Sequence, residues 1–524
     1  MTDIEAHVTT QGEAAEAVGF RNKARARWRA LPDLQRYAIT IAVQVAIALA
    51  LWGLSLSLTY TALLIFAIWW LGKLPDMWKL GLQITIVAIF LIFGPRSLAV
   101  ILAVVFGFLW SPHSVQRWLL PSAALAVAIM YPFFYTHLFT MPVFGSFPDI
   151  ATGVYMIVFM MMAVGLNMVV GYAGLLDLGY VAFYATGAYT AGWFASLQFP
   201  HDKIHFGAVG LNPPDVVGIH LSVWLILIIA GFITAFAGIV IGLPTLRLRG
   251  DYLAIVTLGF GEIVYIAARN GDNLGGFNLT NGPNGITPID SPGWGHTLSR
   301  LTGGFLPENY LTCCKAKVLG HQLQSADVFF WTALVLLIFT VFCSIRLRDS
   351  RLGRAWVAIR EDETAAAAMG IPLMRTKTWA YASGAFFGGV AGAYYATFKA
   401  NTFPGDFLFQ ISTFILCMVV LGGMGNVWGV LVGAAFLSYL NIAGLANTGA
   451  WINSHIHFIG NIQFPGESQP GLDVPAIASG IYGLIILLVM LFRPEGLIPS
   501  RRREAELHRG VHDQPLYDVS HEGA

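Results

Sequence analysis

Apolar runs dominate the chain, and polar residues gather in short clusters between them. Runs at about 38–59, 60–72, 80–94, 97–110, 117–136, 150–170, 174–197, 219–243, 252–269, 327–345, 379–398, 411–423, 426–445 and 475–492 read as membrane passes. A spanning helix needs about 20 apolar residues at 1.5 Å per residue. Several of these runs hold only about 14 residues, short of that span, so half-helices are expected among them. The pattern predicts an all-α polytopic membrane protein of 11 to 14 passes. Residues 1–37 form a basic tail, 38–145 an additional group of helices, 146–498 a Gly-rich core, and 499–524 a polar tail.

Charge orients the passes. Seven Lys or Arg (Arg346, Arg348, Arg351, Arg354, Arg360, Arg375 and Lys377) fall in 346–378. In contrast, 270–326 holds only Arg300, Lys315 and Lys317, and 446–474 holds none. Basic loops stay on the cytoplasmic side. Residues 346–378 and both termini are therefore expected inside, with 270–326 and 446–474 outside. The basic start is followed by apolar runs too long for a secretory signal.

Composition narrows the class. Only 11% of the 524 residues are charged while 56% are hydrophobic, against about 25% charged in soluble domains. A net charge of +1 argues against a nucleic-acid partner. Cys343 and Cys417 lie in apolar runs, and the Cys313–Cys314 pair lies in a polar loop, which favours neither a disulfide framework nor a metal site. The Gly72-Lys73 pair is followed by Leu74, so it forms no Walker A phosphate cradle, and neither a zinc helix nor a nucleophile elbow is present. The chain reads as a non-enzyme without a cofactor, drawing energy from a partner or from an ion gradient.

Small residues recur at helical spacing in Gly384, Gly388 and Gly392, in Gly425, Gly429 and Gly433, and in Gly238 and Gly242. Such ladders let helix backbones approach closely in lipid. Two carboxylates stand out at membrane depth, where an ion is costly. Glu262 lies eleven residues after Asp251, about 16 Å along a helix, and is expected to be a buried ion facing the bundle interior, with Arg269 able to pair with it. Asp177 lies in a Gly-rich stretch that predicts a helix break. The same holds near Gly422 and Gly423. These four residues are the candidate lining of a translocation path.

Six ordered blocks resemble the LivM-type permeases of branched-chain amino acid ABC importers. They are GLNMVVGYAGLLDLGYVAFYATGAY at 165–189, LPTLRLRGDYLAIVTLGFGEI at 243–263, NGPNGI at 281–286, LGRAWVAIREDE at 352–363, VLGGMG at 420–425 and FRPEGL at 492–497. The resemblance implies an inner-membrane permease that pairs with a LivH-like second permease. It also implies two ATP-binding subunits at the cytoplasmic side and a periplasmic solute-binding protein delivering leucine, isoleucine or valine. Urea and short-chain amide permeases resemble the same blocks, and an ion-coupled secondary transporter is the remaining alternative.

Residues 354–369 are expected to form one polar helix stopped by Gly370 and Pro372. By the resemblance it seats in an ATP-binding subunit, with Trp356 and Ile359 as apolar anchors and with Arg360, Glu361, Asp362 and Glu363 setting register. The match to the wider importer motif is partial, since Thr364 stands where that motif has Glu before Ala365, Ala366 and Gly370.

Overall fold

The computed structural model describes residues 125–137, 146–199, 203–207, 217–246, 251–273, 275–302, 307–311, 317–318, 321–455, 477–492 and 496–497. Nearly all of these belong to one compact unit comprising Leu120–Thr136, Phe147–Ala450 and Ile462–Ala524. A second unit, Met1–Leu119 with His137–Ser146 and Trp451–Asn461, contributes only a few described residues. The passes read between 38 and 110, both polar tails, Cys313 and Cys314, and residues 456–474 lie outside the described residues.

Helix α1 (Ile150–Asn167) starts at an Asp149 cap, whose side chain accepts from Thr152 N, and continues through a π turn at Met168–Tyr172. Then follow α2 (Val181–Phe194), α3 (Val223–Thr245), α4 (Asp251–Arg269), the short α5 (Gly295–Leu301) and α6 (Ser325–Asp349). Two polar helices, α7 (Arg351–Glu361) and α8 (Glu363–Ala368), lead into the long α9 (Leu373–Lys399). The core closes with α10 (Phe409–Gly422), α11 (Val427–Tyr439), whose helix runs on through a π turn and α12 (Leu445–His455), and α13 (Ala478–Phe492). Among the described residues six helical stretches are long and apolar enough to cross a membrane. Helix α9 is as long, but Gly, Ala, Ser and Tyr dilute its apolarity. Most of it is buried against other helices, so only a small part of it needs a lipid-compatible surface.

Close glycine contacts build that interior. Gly384 lies against Val169 and the Gly165 carbonyl of α1, Gly388 against Tyr180, and Gly392 against the α2 backbone at Tyr184. Gly238 and Gly242 of α3 lie on Tyr381 and Ala385 of α9. The ladder expected at Gly425, Gly429 and Gly433 divides. Gly429 and Gly433 on α11 meet Gly422 of α10, whereas Gly425 has φ +86° and lies outside any helix.

The core has two ends. At one, the sheet β1 (Ala195–Ser196), β2 (Lys203–Phe206) and β3 (Gly218–Leu221), in order β1-β3-β2, joins the segment 286–290 and Thr402. There His220 Nδ1 lies 2.6 Å from Asp290 Oδ2. At the other end, α7 and α8 cover the chain where α1 gives way to α2. The Arg-rich loop 346–378 and the described part of the Arg-poor segment 270–326 therefore lie at opposite ends of this unit, whereas most of 446–474 lies outside the described residues.

Candidate functional site

Two breaks in the helical structure meet at the basic end. Helix α2 has 14 residues, about 21 Å, which is short of a hydrocarbon core of about 30 Å, and α10, also of 14 residues, reaches 19 only with the turn ahead of it, Pro404–Gly422. Non-helical backbone lies beside each of them, at 173–180 and 423–426. Such backbone is tolerated at membrane depth only where protein or a cavity satisfies it.

The first break is held by side chains from other helices. Gly174 takes φ +69°. Asp177 Oδ1 accepts from Gly179 N at 2.8 Å, and Leu178 N donates to Thr257 Oγ1 at 3.1 Å. Val181 N, at the uncapped start of α2, donates to Ser412 Oγ of α10 at 2.8 Å. Asp177 is 1% exposed, and its second carboxyl oxygen has no hydrogen-bond partner among the described residues. A sealed, half-satisfied carboxylate is costly, so Asp177 gains from any rearrangement that brings a donor to it.

The second break follows Gly422. Gly423 and Gly425 take φ +110° and +86°, which L side chains rarely adopt. Gly425 N donates to Asn167 Oδ1 of α1 at 2.9 Å, and Asn426 caps α11 by accepting from Trp428 N at 3.2 Å. Leu497 N donates to the Leu421 carbonyl at 2.8 Å, and Gly496 packs on Gly423. The FRPEGL block thus ends against this second break.

Arg360 joins the two breaks. Its Nη1 donates to the Gly171 carbonyl at 2.5 Å. Its Cβ and Cγ lie under Gly174, and its Nη1 faces Gly425. One guanidinium on α7 therefore touches both irregular segments. A charge-assisted bond to a carbonyl left free by the π turn is among the stronger hydrogen bonds.

The neighbouring residues depart from the sequence expectation. The single helix 354–369 is two helices, interrupted at Asp362, whose φ of −153° and ψ of 112° are extended. Asp362 caps α8. Its Oδ1 accepts from Thr364 Oγ1 and from the backbone N–H groups of Ala365 and Thr364, and these bonds hold the carboxyl below its usual range. Trp356 and Ile359 are buried within this chain, and Trp356 Nε1 donates to the Thr376 carbonyl at 2.8 Å. They anchor α7 to the rest of this chain and leave almost no surface of their own exposed. Glu363 pairs with the buried Lys377 at 2.7 Å, which ties α8 to α9. The exposed face instead carries Leu352, Arg354, Glu361, Ala365, Ala368 and, at 83% exposure, Met369, followed by Gly370 at φ +83°.

Glu262 is also placed differently. It is half-buried on α4, and no ion pair with Arg269 forms. The flanking Ile255, Ile263 and Ile266 are exposed. Asp177, not Glu262, is the most deeply buried carboxylate at the breaks. Sequence reasoning missed Asn167, Thr257 and Ser412, lone polar residues in apolar helices that satisfy backbone groups of the breaks. Among the described residues no three His, Cys, Asp or Glu converge as metal ligands, and Cys343 and Cys417 are free thiols.

The sequence is similar to those of known proteins. A family profile described as "Branched-chain amino acid transport system / permease component" matches residues 150–490. The chain is 34% identical over 403 residues to the high-affinity branched-chain amino acid transport system permease protein LivM of Salmonella typhimurium, covering 76% of this chain and 78% of that protein. It is 34% identical to the LivM of Escherichia coli over 404 residues, covering 76% and 79%. It is 25% identical to a probable LivM of Methanocaldococcus jannaschii, covering 67% and 91%. No solved structure matches. With the profile covering nearly all of the core and both breaks inside it, the chain belongs to the permease-component family of branched-chain amino acid transport systems.

Proposed function

We propose that the chain is the transmembrane permease subunit of an ATP-binding cassette importer for leucine, isoleucine and valine, in the bacterial inner membrane with its basic end cytoplasmic. The observation that carries the mechanism is the Arg360 clamp between the two helix breaks. Movement of α7 and α8 by an ATP-binding subunit would pull on Gly171 and Gly425 together and so change the packing at Asp177, Gly422 and Gly423. These residues form the gate of the path. No formal charge needs to face the amino-acid zwitterion, because half-helix ends present partial charges of their own.

Partners follow from the surfaces. An ATP-binding subunit docks on the exposed face of α8, with Met369 as the apolar plug and Arg354 and Glu361 at its rim. A second, LivH-like permease covers the α4 face around Glu262, since an ionisable group at that depth favours protein over lipid. A second ATP-binding subunit serves that second permease. A periplasmic solute-binding protein meets the end built from β1 to β3.

Met369→Glu should lower co-purification of the ATP-binding subunit about ten-fold, the scale of losing one central anchor, with membrane insertion unchanged. Trp356→Phe should leave co-purification intact, because that side chain faces inward. For the substrate, uptake of labelled leucine by the complete assembly should be competed by isoleucine and valine and not by urea or acetamide. Competition by urea or acetamide alone would assign the transporter to the other substrate class.

A further inference from the structure

A cavity of about 770 Å³ opens between α3, α6, the start of α7 at Leu352, and α9. Its wall is apolar, formed chiefly by Phe232, Phe236, Phe342, Trp379 and Phe386. Its polar side chains are Cys343, Trp379, Ser383 and Arg346. The Ser383 hydroxyl donates to the Ala380 carbonyl at 2.9 Å, and Arg346 is the one charged group among them, able to select an anionic ligand. Arg346 is exposed, three residues before the end of α6, with its guanidinium 5.3 Å from the Phe342 ring. Among the described residues it has no carboxylate partner, whereas its neighbour Arg348 is paired with Asp349 at 2.9 Å.

The length of the groove decides what fits. It runs from Trp379 to Phe387 on α9 and from Ile239 back to Phe232 on α3, about 12 Å at 1.5 Å per residue. A partner helix crossing the membrane needs about 30 Å of contact, and one leaflet supplies about 15 Å of hydrocarbon. The groove therefore has the depth of a single leaflet. Its charged group and its half-exposed Trp379 both lie at the basic end, and Trp and Arg are residue types that anchor where headgroups meet hydrocarbon. Basic pockets between membrane helices at that level suit anionic headgroups.

We infer that the groove is a phospholipid site, holding an acyl chain against Phe232, Phe236 and Phe386 with the anionic headgroup phosphate on Arg346. The site is separate from the translocation path. It faces the same α9 that carries Tyr381 and Gly384 to the core, so an occupied groove braces the outer side of the helix on which α1 and α2 pack.

The test uses the complete transporter, purified in mild detergent and then placed in nanodiscs of phosphatidylethanolamine with phosphatidylglycerol, with bound lipids counted by mass spectrometry. The native chain should retain about one phosphatidylglycerol at this site, as expected of a pocket with one basic group. Arg346→Gln should lower phosphatidylglycerol retention about five-fold, the effect of one basic group at an anionic surface, and leave phosphatidylethanolamine unchanged. Ala235→Trp, which fills the groove, should expel both lipids. Arg346→Gln alters an exposed side chain and still decides the matter if Ala235→Trp fails to fold. Three results would overturn the assignment. These are no retained phospholipid in the native chain, retention unaffected by Arg346→Gln, or loss of the second permease from Ala235→Trp with lipid retained, which would give the groove to a protein.

Discussion

Gly187→Leu should abolish the folded core. At Gly187 the backbones of α2 and α9 cross so closely that an added Cβ would overlap the Gly389 carbonyl, while Gly389 itself lies against Thr234 of α3. Rigid backbone on both sides cannot give way as a flexible side chain could. Even a methyl group forced into a packed interior costs about 1–3 kcal/mol, and Leu adds a branched chain to the same spot. That is a large fraction of the whole stability of a typical domain, about 5–15 kcal/mol. The yield of monodisperse protein in fluorescence-detected size exclusion should fall at least ten-fold, on the scale of such a loss. Gly259→Leu is the control. It lies on α4 with nothing within 4 Å of an added Cβ, and its yield should match the native chain when both are expressed without the second permease.

The second large effect is functional. Arg360→Ala removes the donor to Gly171 and the contact with Gly174 and Gly425. Hydrogen bonds to charged groups contribute about 1.5–3 kcal/mol, so the coupling of the two breaks to α7 should weaken by about 10- to 150-fold. Trp356, Lys377 and Glu363 still hold α7 and α8 in place. The expected result is uncoupling, in which the ATP-binding subunit still assembles and hydrolyses ATP while leucine uptake falls more than ten-fold. Arg360→Lys should rescue little, because an ammonium lacks the planar fork that reaches one carbonyl while lying beside two glycines. Loss of assembly in Arg360→Ala would instead make Arg360 a docking residue.

Much of the architecture was legible from hydrophobic pattern and charge. The runs at 150–170, 252–269 and 327–345 correspond to α1, α4 and α6, because long apolar stretches are constrained by membrane thickness alone. The pass expected at 174–197 is shorter, since 173–180 is a break whose backbone is satisfied from α4 and α10. Periodicity within the segment does not encode such distant partners. Breaks at Asp177 and Gly422 were foreseeable from their glycines, but the residue joining them was overlooked. Arg360 was grouped with the charged stretch 360–363 although it stands four residues from Trp356, and positions i and i+4 share a helix face. Reading that spacing would have placed Arg360 inward beside Trp356. The interruption at Asp362 also had a signal, an Asp immediately ahead of an Ala-rich turn, which is cap chemistry. Glu262 illustrates the opposite case. Its expected depth came from counting residues along the helix, and such a count does not say whether a face turns to its own chain or outward.

The central claim is that ATP binding outside this chain, acting through α7 and α8, opens a path within it. Leucine uptake into proteoliposomes containing the complete assembly tests it most directly, with ATP at the basic end, solute-binding protein at the other, and the proton and sodium gradients collapsed by ionophores. Uptake should continue at the same rate while ATP lasts and stop when ATP is replaced by a non-hydrolysable analogue. Uptake that disappears with the ion gradients while ATP is still present would contradict the account.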